Sequence, residues 1–304
     1  MTTVLLCGGT GQLGSAIARR LSARSVAFRA LVRPSSDAGP LRALGAEIRT
    51  GDLTDRASLD RALDGVDVVV TTANAISRIM DGARDLTIDA VDRDGNANLV
   101  RAAEAAGVQR FVFVSLVGLT DAMVARALFA AAKRQTENLL AASAMRAVIV
   151  RPAAFQEVWL AADTGIDPKN RRAVIFGQGG SPVNYVAVDD VAEARVRLAL
   201  ADDPPAAVEL GGPESLTRRE VVDAFERAYG VRFRRIAVPR PVRALGARAM
   251  RRLIPRMASV MGMALSMDVD GCPIDPGPVR VLGIEPRTMT AAIAAMPGAR
   301  TSSA

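Results

Sequence analysis

A run of eleven residues near the amino terminus constrains this chain more than any other. Val4-Leu5-Leu6-Cys7 is a short apolar stretch of strand character, and it leads directly into Gly8-Gly9-Thr10-Gly11-Gln12-Leu13-Gly14, which opens an amphipathic segment over residues 12–23. Glycines at 8, 11 and 14 between a strand and a helix have a mechanical meaning. Gly8 turns the chain sharply, Gly11 lets backbone N–H groups come close to a ligand, and Gly14 lets the helix pack tightly on the sheet. The free N–H groups and partial positive charge of the helix start then suit a pyrophosphate. The motif predicts a dinucleotide held by Gly8, Thr10, Gly11, Gln12, Leu13 and Gly14.

The pattern downstream supports this reading. Strand-like runs over 27–32, 47–50, 66–71, 110–115 and 147–151 alternate with helix-period segments over 55–63, 89–106 and 128–143. A parallel sheet with crossover helices requires that alternation. The expectation is an α/β fold, a Rossmann-type doubly wound parallel sheet over residues 1–151. A smaller carboxy-terminal substrate lobe over 152–299 is not independent of it, and 300–304 form a tail. In the lobe, a strand over 183–188, a helix over 190–200, a strand-helix unit over 207–229, a strand over 232–238 and Met-rich helical segments over 241–267 are expected.

Residues after the second, third and fourth strands refine the ligand. An NAD-binding domain usually has a carboxylate after strand two, for the ribose hydroxyls. This chain has Arg33-Pro34-Ser35-Ser36 instead, where Arg33 and Ser35 suit a 2′-phosphate. The cofactor expected is therefore NADP(H) ahead of NAD(H). Asp52 and Leu53 follow strand three, Asp52 placed to accept from an adenine amino group. Thr72, Ala73 and Asn74 follow strand four and are small enough for a ribose to lie against the backbone.

Composition excludes several alternatives. The 304 residues contain no histidine, which removes the commonest general base and metal ligand and any Ser-His-Asp triad. The two cysteines, Cys7 and Cys272, form no CxxC and read as buried thiols, and no acidic cluster has metal-ligand spacing. Net charge is +7, but of 39 basic residues only Lys133 and Lys169 are lysine, and the arginines are spread along the chain. That spread reads as compositional bias, and the expectation is no nucleic-acid partner. No apolar run approaches the ~20 residues of a membrane span, and the first strand lacks a signal-peptide pattern, so a cytoplasmic protein is expected. A homo-oligomer is left open.

With those residues in hand, the chain resembles the atypical short-chain dehydrogenases of the NmrA-like group, related to isoflavone reductases and bacterial NADPH:quinone reductases. The similarity covers about residues 1–290. It rests on Gly8 to Gly14, Val32-Arg33, Gly51-Asp52-Leu53, Ala106 to Val112, Lys133 with Glu137, Arg151-Pro152-Ala153-Ala154-Phe155, and Pro182 to Val186 with Asp189-Asp190. The resemblance adds Ser115, Pro152, Ala153 and Phe155 to the cofactor set.

It also implies a YxxxK pair, in which a tyrosine acts as acid and a lysine holds the nicotinamide ribose. The pair here reads Phe129-Ala130-Ala131-Ala132-Lys133: the lysine is present and the phenol is absent. Lys133 is expected at the ribose, since a compact ammonium fits where a guanidinium does not. Tyr185, on a strand expected near the cleft, is the candidate proton donor, and Phe155, Trp159 and residues 250–267 are candidates to line an apolar pocket. The expected activity is NADPH-dependent reduction of a small apolar conjugated acceptor, a quinone or enone. Two alternatives stand beside it: a non-catalytic NADP(H)-sensing regulator, and a biosynthetic enzyme without net redox.

Overall fold

The computed structural model describes residues 2–75, 86–161, 164–238, 255–272, 274–275 and 277–299, with the backbone alone for Phe176 and residues 255–261. The expected tail 300–304, and residues 250–254 of the expected Met-rich lining, lie outside the described residues.

Chain contacts divide the protein into two units. The first comprises 1–119, 128–151 and 191–208, and the second 120–127, 152–190 and 209–304. Strands β1 (Val4–Cys7), β2 (Phe28–Val32), β3 (Glu47–Thr50), β4 (Val68–Thr71), β5 (Arg110–Val114), β6 (Arg146–Pro152) and β11 (Ala207–Leu210) form one parallel sheet in the order β11-β6-β5-β4-β1-β2-β3. β1 and β4 are buried throughout, as strands covered on both faces must be. The sequence runs outward from β1 through β2 to β3, then returns to β4 and runs outward the other way. This reversal opens a crevice between the carboxyl ends of β1 and β4, where doubly wound sheets bind ligands.

On one face of the sheet lie α1 (Gln12–Ala23) and, further along the chain, the helix Val188–Leu200, whose Glu193 pairs with Arg20 of α1 and with Arg24 just after it. The opposite face carries α3 (Arg56–Leu63), α4 (Asn96–Ala105) and α6 (Leu128–Ala141). There Leu59, Leu63, Leu99, Val100 and Leu140 pack on Leu5, Val69, Phe111 and Phe113 of the sheet. Each such side chain contributes about 1.5–3 kcal/mol on burial. Two further short helices are described before residue 127: α2 (Gly39–Ala43) in the first unit and α5 (Asp121–Arg126) in the second.

One helix departs from the sequence reading. The segment expected as a single α-helix over 89–106 begins as a π-helical turn, Asp89–Gly95, and becomes α-helical only at Asn96. Two contacts account for the change. The Asn96 side chain donates to the carbonyls of Val91 and Asp92, and Gly95 passes Leu53 so closely that a Cβ would lie 2.9 Å from its Cβ. Side-chain insertion into the main-chain ladder is a recognised cause of such turns.

The second unit holds two small sheets. In one, β10 (Val183–Val186) lies parallel to β7 (Ala154–Phe155) and antiparallel to β12 (Ser215–Leu216); in the other, β9 (Arg172–Phe176) lies parallel to β13 (Arg234–Val238) and antiparallel to β8 (Ile166–Asp167). Helices α7 (Gln156–Trp159), α9 (Arg218–Tyr229), α10 (Pro255–Asp270), α11 (Gly277–Val281) and α12 (Met289–Ala294) belong here, and the helix Val188–Leu200 of the first sheet's face is α8. α9 starts with a capping box of Thr217 and Glu220 and ends at Gly230. Its Phe225 and Tyr229 meet Phe233 in an aromatic cluster.

Cys7 is buried, and burial pushes its thiol up to about 12; Cys272, expected to be buried as well, is only partly covered. No described helix is long and apolar enough to cross a membrane.

Candidate functional site

Because the large sheet is parallel, the segments following β1 to β5 all emerge at one edge. Gly8 follows β1, Arg33 follows β2, Asp52 and Leu53 come after β3, Thr72 follows β4 and Ser115 follows β5. The topology thus brings together at one edge most of the residues singled out in the first unit.

The glycine loop is built by close approach. Gly8 has φ +83°, and a Cβ there would meet Thr72 Oγ1 at 2.6 Å and the Ala73 N at 2.8 Å. Thr72 Oγ1 donates to the Gly8 carbonyl at 3.1 Å, tying the loop to the end of β4. At Gly14 a Cβ would lie 2.1 Å from the Gly8 carbonyl oxygen. Gly11 differs: a Cβ would meet only the Gly8 oxygen, at 3.5 Å, and otherwise open space.

Gly11 is the N-cap of α1, with no side-chain cap and no acidic residue in the first turn. Thr10, Gly11 and Gln12 are exposed, with Leu13 half-buried. An uncapped helix start with free backbone donors and a clear approach fits a pyrophosphate.

Arg33 is half-buried at the end of β2, in a turn closed by the Ser36 N–H on its carbonyl, with Ser35 exposed beside it. Its guanidinium has no ion-pair partner among the described residues. Asp52 Oδ1 accepts from both the N–H and hydroxyl of Thr54. Leu53 is buried, and its carbonyl accepts from Asn98. The Asn74 side chain donates to the Thr72 carbonyl.

Lys133 lies on α6 and is only 3% exposed. Its Nζ sits 4.8 Å from the centre of the Phe113 ring and 5.0 Å from that of Phe129. Phe129, in the position of the absent phenol, is therefore a wall of the lysine's enclosure. Burial pushes the ammonium down, the Asp92 carboxylate opposes that, and Arg195 adds to it, leaving a pKa of about 8. Four residues further along α6, Glu137 receives a fork from Arg151, at 3.1 and 2.7 Å. Ser115 is buried at the end of β5.

Two charged residues here escaped sequence reasoning. Asp92, 1% exposed on the π-helical turn, accepts from the Ala75 N–H at 3.0 Å, and burial raises its pKa to about 6 against the pull of Lys133. Its signal was a carboxylate four residues from both Ile88 and Asn96, on a face the structure buries. Arg195, fully buried on α8, donates to the carbonyls of Thr71 and Val112 at 2.7 and 2.9 Å, and burial lowers its pKa to about 9. No signal marks it in a chain so rich in arginine.

The remaining sequence-selected residues lie in the second unit. Ala153 is buried and donates its N–H to the Leu210 carbonyl, Pro152 is buried, and Phe155 is half-buried in β7. Tyr185, the expected proton donor, is 3% exposed within that unit's core, and its hydroxyl is engaged by Arg218, which also donates to the carbonyls of Trp159 and Thr164. Trp159, Tyr185, Arg218, Met267 and Asp268 line a cavity of about 40 Å³, roughly the space of one water.

A depression of about 610 Å³ lies elsewhere, at the amino edge of the large sheet beside Asp67, Arg110, Arg146 and Asp202. Its arginines are taken up by the carbonyls of Ala199, Asp202 and Pro204, so it offers little to a ligand. The glycine loop and the perturbed lysine occur together at the carboxyl edge. Among the described residues no group of three or more acidic or cysteine side chains is placed to hold a metal.

Known proteins resemble this chain in sequence and in fold. A family model described as NAD(P)H-binding matches residues 8–203. The Photosystem II assembly factor Ycf39 of Synechocystis sp. is 30% identical over 240 residues, covering 79% of this chain and 71% of its own. An NAD(P)H azoreductase of Xenophilus azovorans is 30% identical over 239 residues, covering 77% of each. Among solved structures, an NADPH-dependent quinone oxidoreductase from Escherichia coli, complexed with NADPH, superposes with a TM-score of 0.76 at 21% identity, covering 96% of this chain and 98% of that one. The fold is the one that the NmrA-like resemblance implies, and the chain belongs to the NAD(P)H-binding family.

Proposed function

We propose that this protein is an NADPH-dependent reductase of small apolar conjugated acceptors, quinones or enones, with Lys133 as its proton-holding group. The observation that carries the reading is Lys133 itself: an ammonium enclosed by Phe113 and Phe129, with a pKa brought to about 8. A group with that pKa can both donate and regain a proton near neutral pH.

The glycine loop and α1 would hold the pyrophosphate, Asp52 and Leu53 the adenosine end, and Thr72, Ala73 and Asn74 the adjoining ribose. Pro152, Ala153 and Phe155 complete the set in this proposal, with Ser115 beside Lys133. Arg33 and Ser35 favour NADP(H) over NAD(H) through the 2′-phosphate. The nicotinamide, when bound, supplies hydride. A quinone that gains hydride becomes a stabilised oxyanion and needs one further proton to become the quinol, and Lys133 Nζ donates it. A weak acid suffices for such an oxyanion, so the phenol missing at Phe129 is dispensable. Tyr185, closed in with Arg218, is left to packing.

A second reading, a nucleotide-dependent regulator without turnover, is favoured by the absent phenol and by the assembly-factor relative. Mixing the protein with NADPH or NADH and a panel of quinones and enones separates the two. Tighter binding of NADPH with consumption by any acceptor supports the reductase. Binding without consumption across the panel supports the regulator.

A further inference from the structure

We propose that Asp92 is a positioning residue for Lys133: from the π-helical turn packed against the lysine's helix, its buried carboxylate keeps the ammonium charged and in place at the carboxyl edge of the sheet. Its consequence for turnover rests on the reductase reading, whereas the pairing itself does not.

Three features of the structure converge on it. The turn Asp89–Gly95 packs directly against α6, which carries Lys133. Asp92 is 1% exposed; its Oδ2 accepts from the Ala75 N–H at 3.0 Å and its main-chain carbonyl from the Asn96 side chain at 3.2 Å. Its other oxygen, Oδ1, is buried with no hydrogen-bond partner among the described residues. A buried carboxylate oxygen left without a donor is costly unless a charge or a ligand donor serves it. The π-helical winding gives a reason for the arrangement, since single π turns rotate a side chain out of its α-helical direction and recur at functional sites.

The other charges around Lys133 act in opposed directions. Arg195 from α8 disfavours its charge and Glu137 from α6 favours it, while Arg151 is occupied by Glu137. Asp92 has the largest influence among these neighbours, and it opposes the burial that lowers the lysine's pKa. Two groups coupled in this way titrate as a pair.

The chain's two lysines make the test direct. Protein labelled with ¹³Cε-lysine gives signals from Lys133 and Lys169 only, and a Lys169→Arg variant, altered at an exposed position, identifies them. The Lys133 signal of the wild type should show two inflections, near pH 6 and near pH 8. Asp92→Asn should abolish the lower one and lower the Lys133 midpoint by about tenfold in proton affinity, while Asp92→Glu keeps the midpoint high. The basic limb of the NADPH-consumption profile should move with it.

An unchanged midpoint in Asp92→Asn overturns the proposal. So does a single inflection in the wild type, which decides the matter if the variant does not fold. A shifted midpoint without turnover of any acceptor leaves the pairing standing and removes the reductase reading. Turnover with an unmoved midpoint does the reverse.

Discussion

Gly11 and Gly14 sit three residues apart in one loop, yet a methyl group at each should do opposite things. At Gly14 the added Cβ would lie 2.1 Å from the Gly8 oxygen, 2.7 Å from its carbonyl carbon and 2.8 Å from the Gly9 Cα, all main-chain atoms. Relief requires α1 to retreat from β1 by roughly an ångström, in an interior packed as densely as a crystal. Overpacking of this kind costs about 1–3 kcal/mol. For a chain of this size that lowers Tm by roughly 2–12 °C.

At Gly11 the added Cβ meets one atom at 3.5 Å, and φ −82°, ψ 170° is a conformation alanine adopts freely. Gly11→Ala should therefore leave Tm within a few degrees of wild type. Its methyl instead occupies the approach to the α1 N-terminus. Losing one charge-assisted hydrogen bond to phosphate, worth about 1.5–3 kcal/mol, weakens NADPH roughly ten- to a hundredfold. Differential scanning fluorimetry and a titration of NADPH fluorescence, run on both variants, read the two quantities. If Gly11→Ala melts as early as Gly14→Ala while binding NADPH normally, the assignment of the loop to a phosphate fails.

Three further outcomes are expected. Arg33→Ala should reduce the preference for NADPH over NADH by about tenfold, the worth of one fork on a 2′-phosphate, while NADH affinity changes little. Lys133→Arg should fail to restore the turnover lost in Lys133→Met, because a guanidinium is too broad for the space between Phe113 and Phe129; steady-state NADPH consumption reads this directly. The pH dependence of stability carries a sign. The Asp92 pKa is raised by burial from 3.8 to about 6, so the folded state takes up this proton first. Asp92→Asn should therefore melt higher than wild type above pH 6, with the advantage shrinking as pH falls toward 4; an advantage that instead grows on acidification contradicts the burial argument.

How much of this could be read from the residues differs between the two units. Most of β1 to β6 were apparent because they are local runs rich in branched side chains closed by glycine or a polar turn, and the glycine loop because its spacing has one mechanical solution. The π-helical turn was hidden: its apolar period resembles that of an α-helix, and the Asn96 and Gly95 contacts that rewind it are tertiary. β9 carries a recognisable run, Arg172–Phe176, but its partners are β8 and β13, and β13 begins 58 positions beyond Phe176. No short-range pattern announces that pairing.

At the site, Lys133 stood out because lysine is rare in this chain. Its burial, its enclosure by Phe113 and Phe129, and the carboxylate opposite it depend on packing between α6, β5 and the π-helical turn. Tyr185 shows the same dependence on packing: a tyrosine on a strand gives no hint of its neighbours until the fold supplies Arg218 beside its hydroxyl.

The most direct test of the central claim is a crystal structure of the protein with NADP⁺. The account predicts the pyrophosphate at the Gly8 to Gly14 loop, the 2′-phosphate at Arg33, and Lys133 Nζ within about 2.7–3.2 Å of a nicotinamide ribose hydroxyl. A nucleotide bound at this loop but with its nicotinamide end far from Lys133 would contradict it, leaving the lysine without the role proposed here.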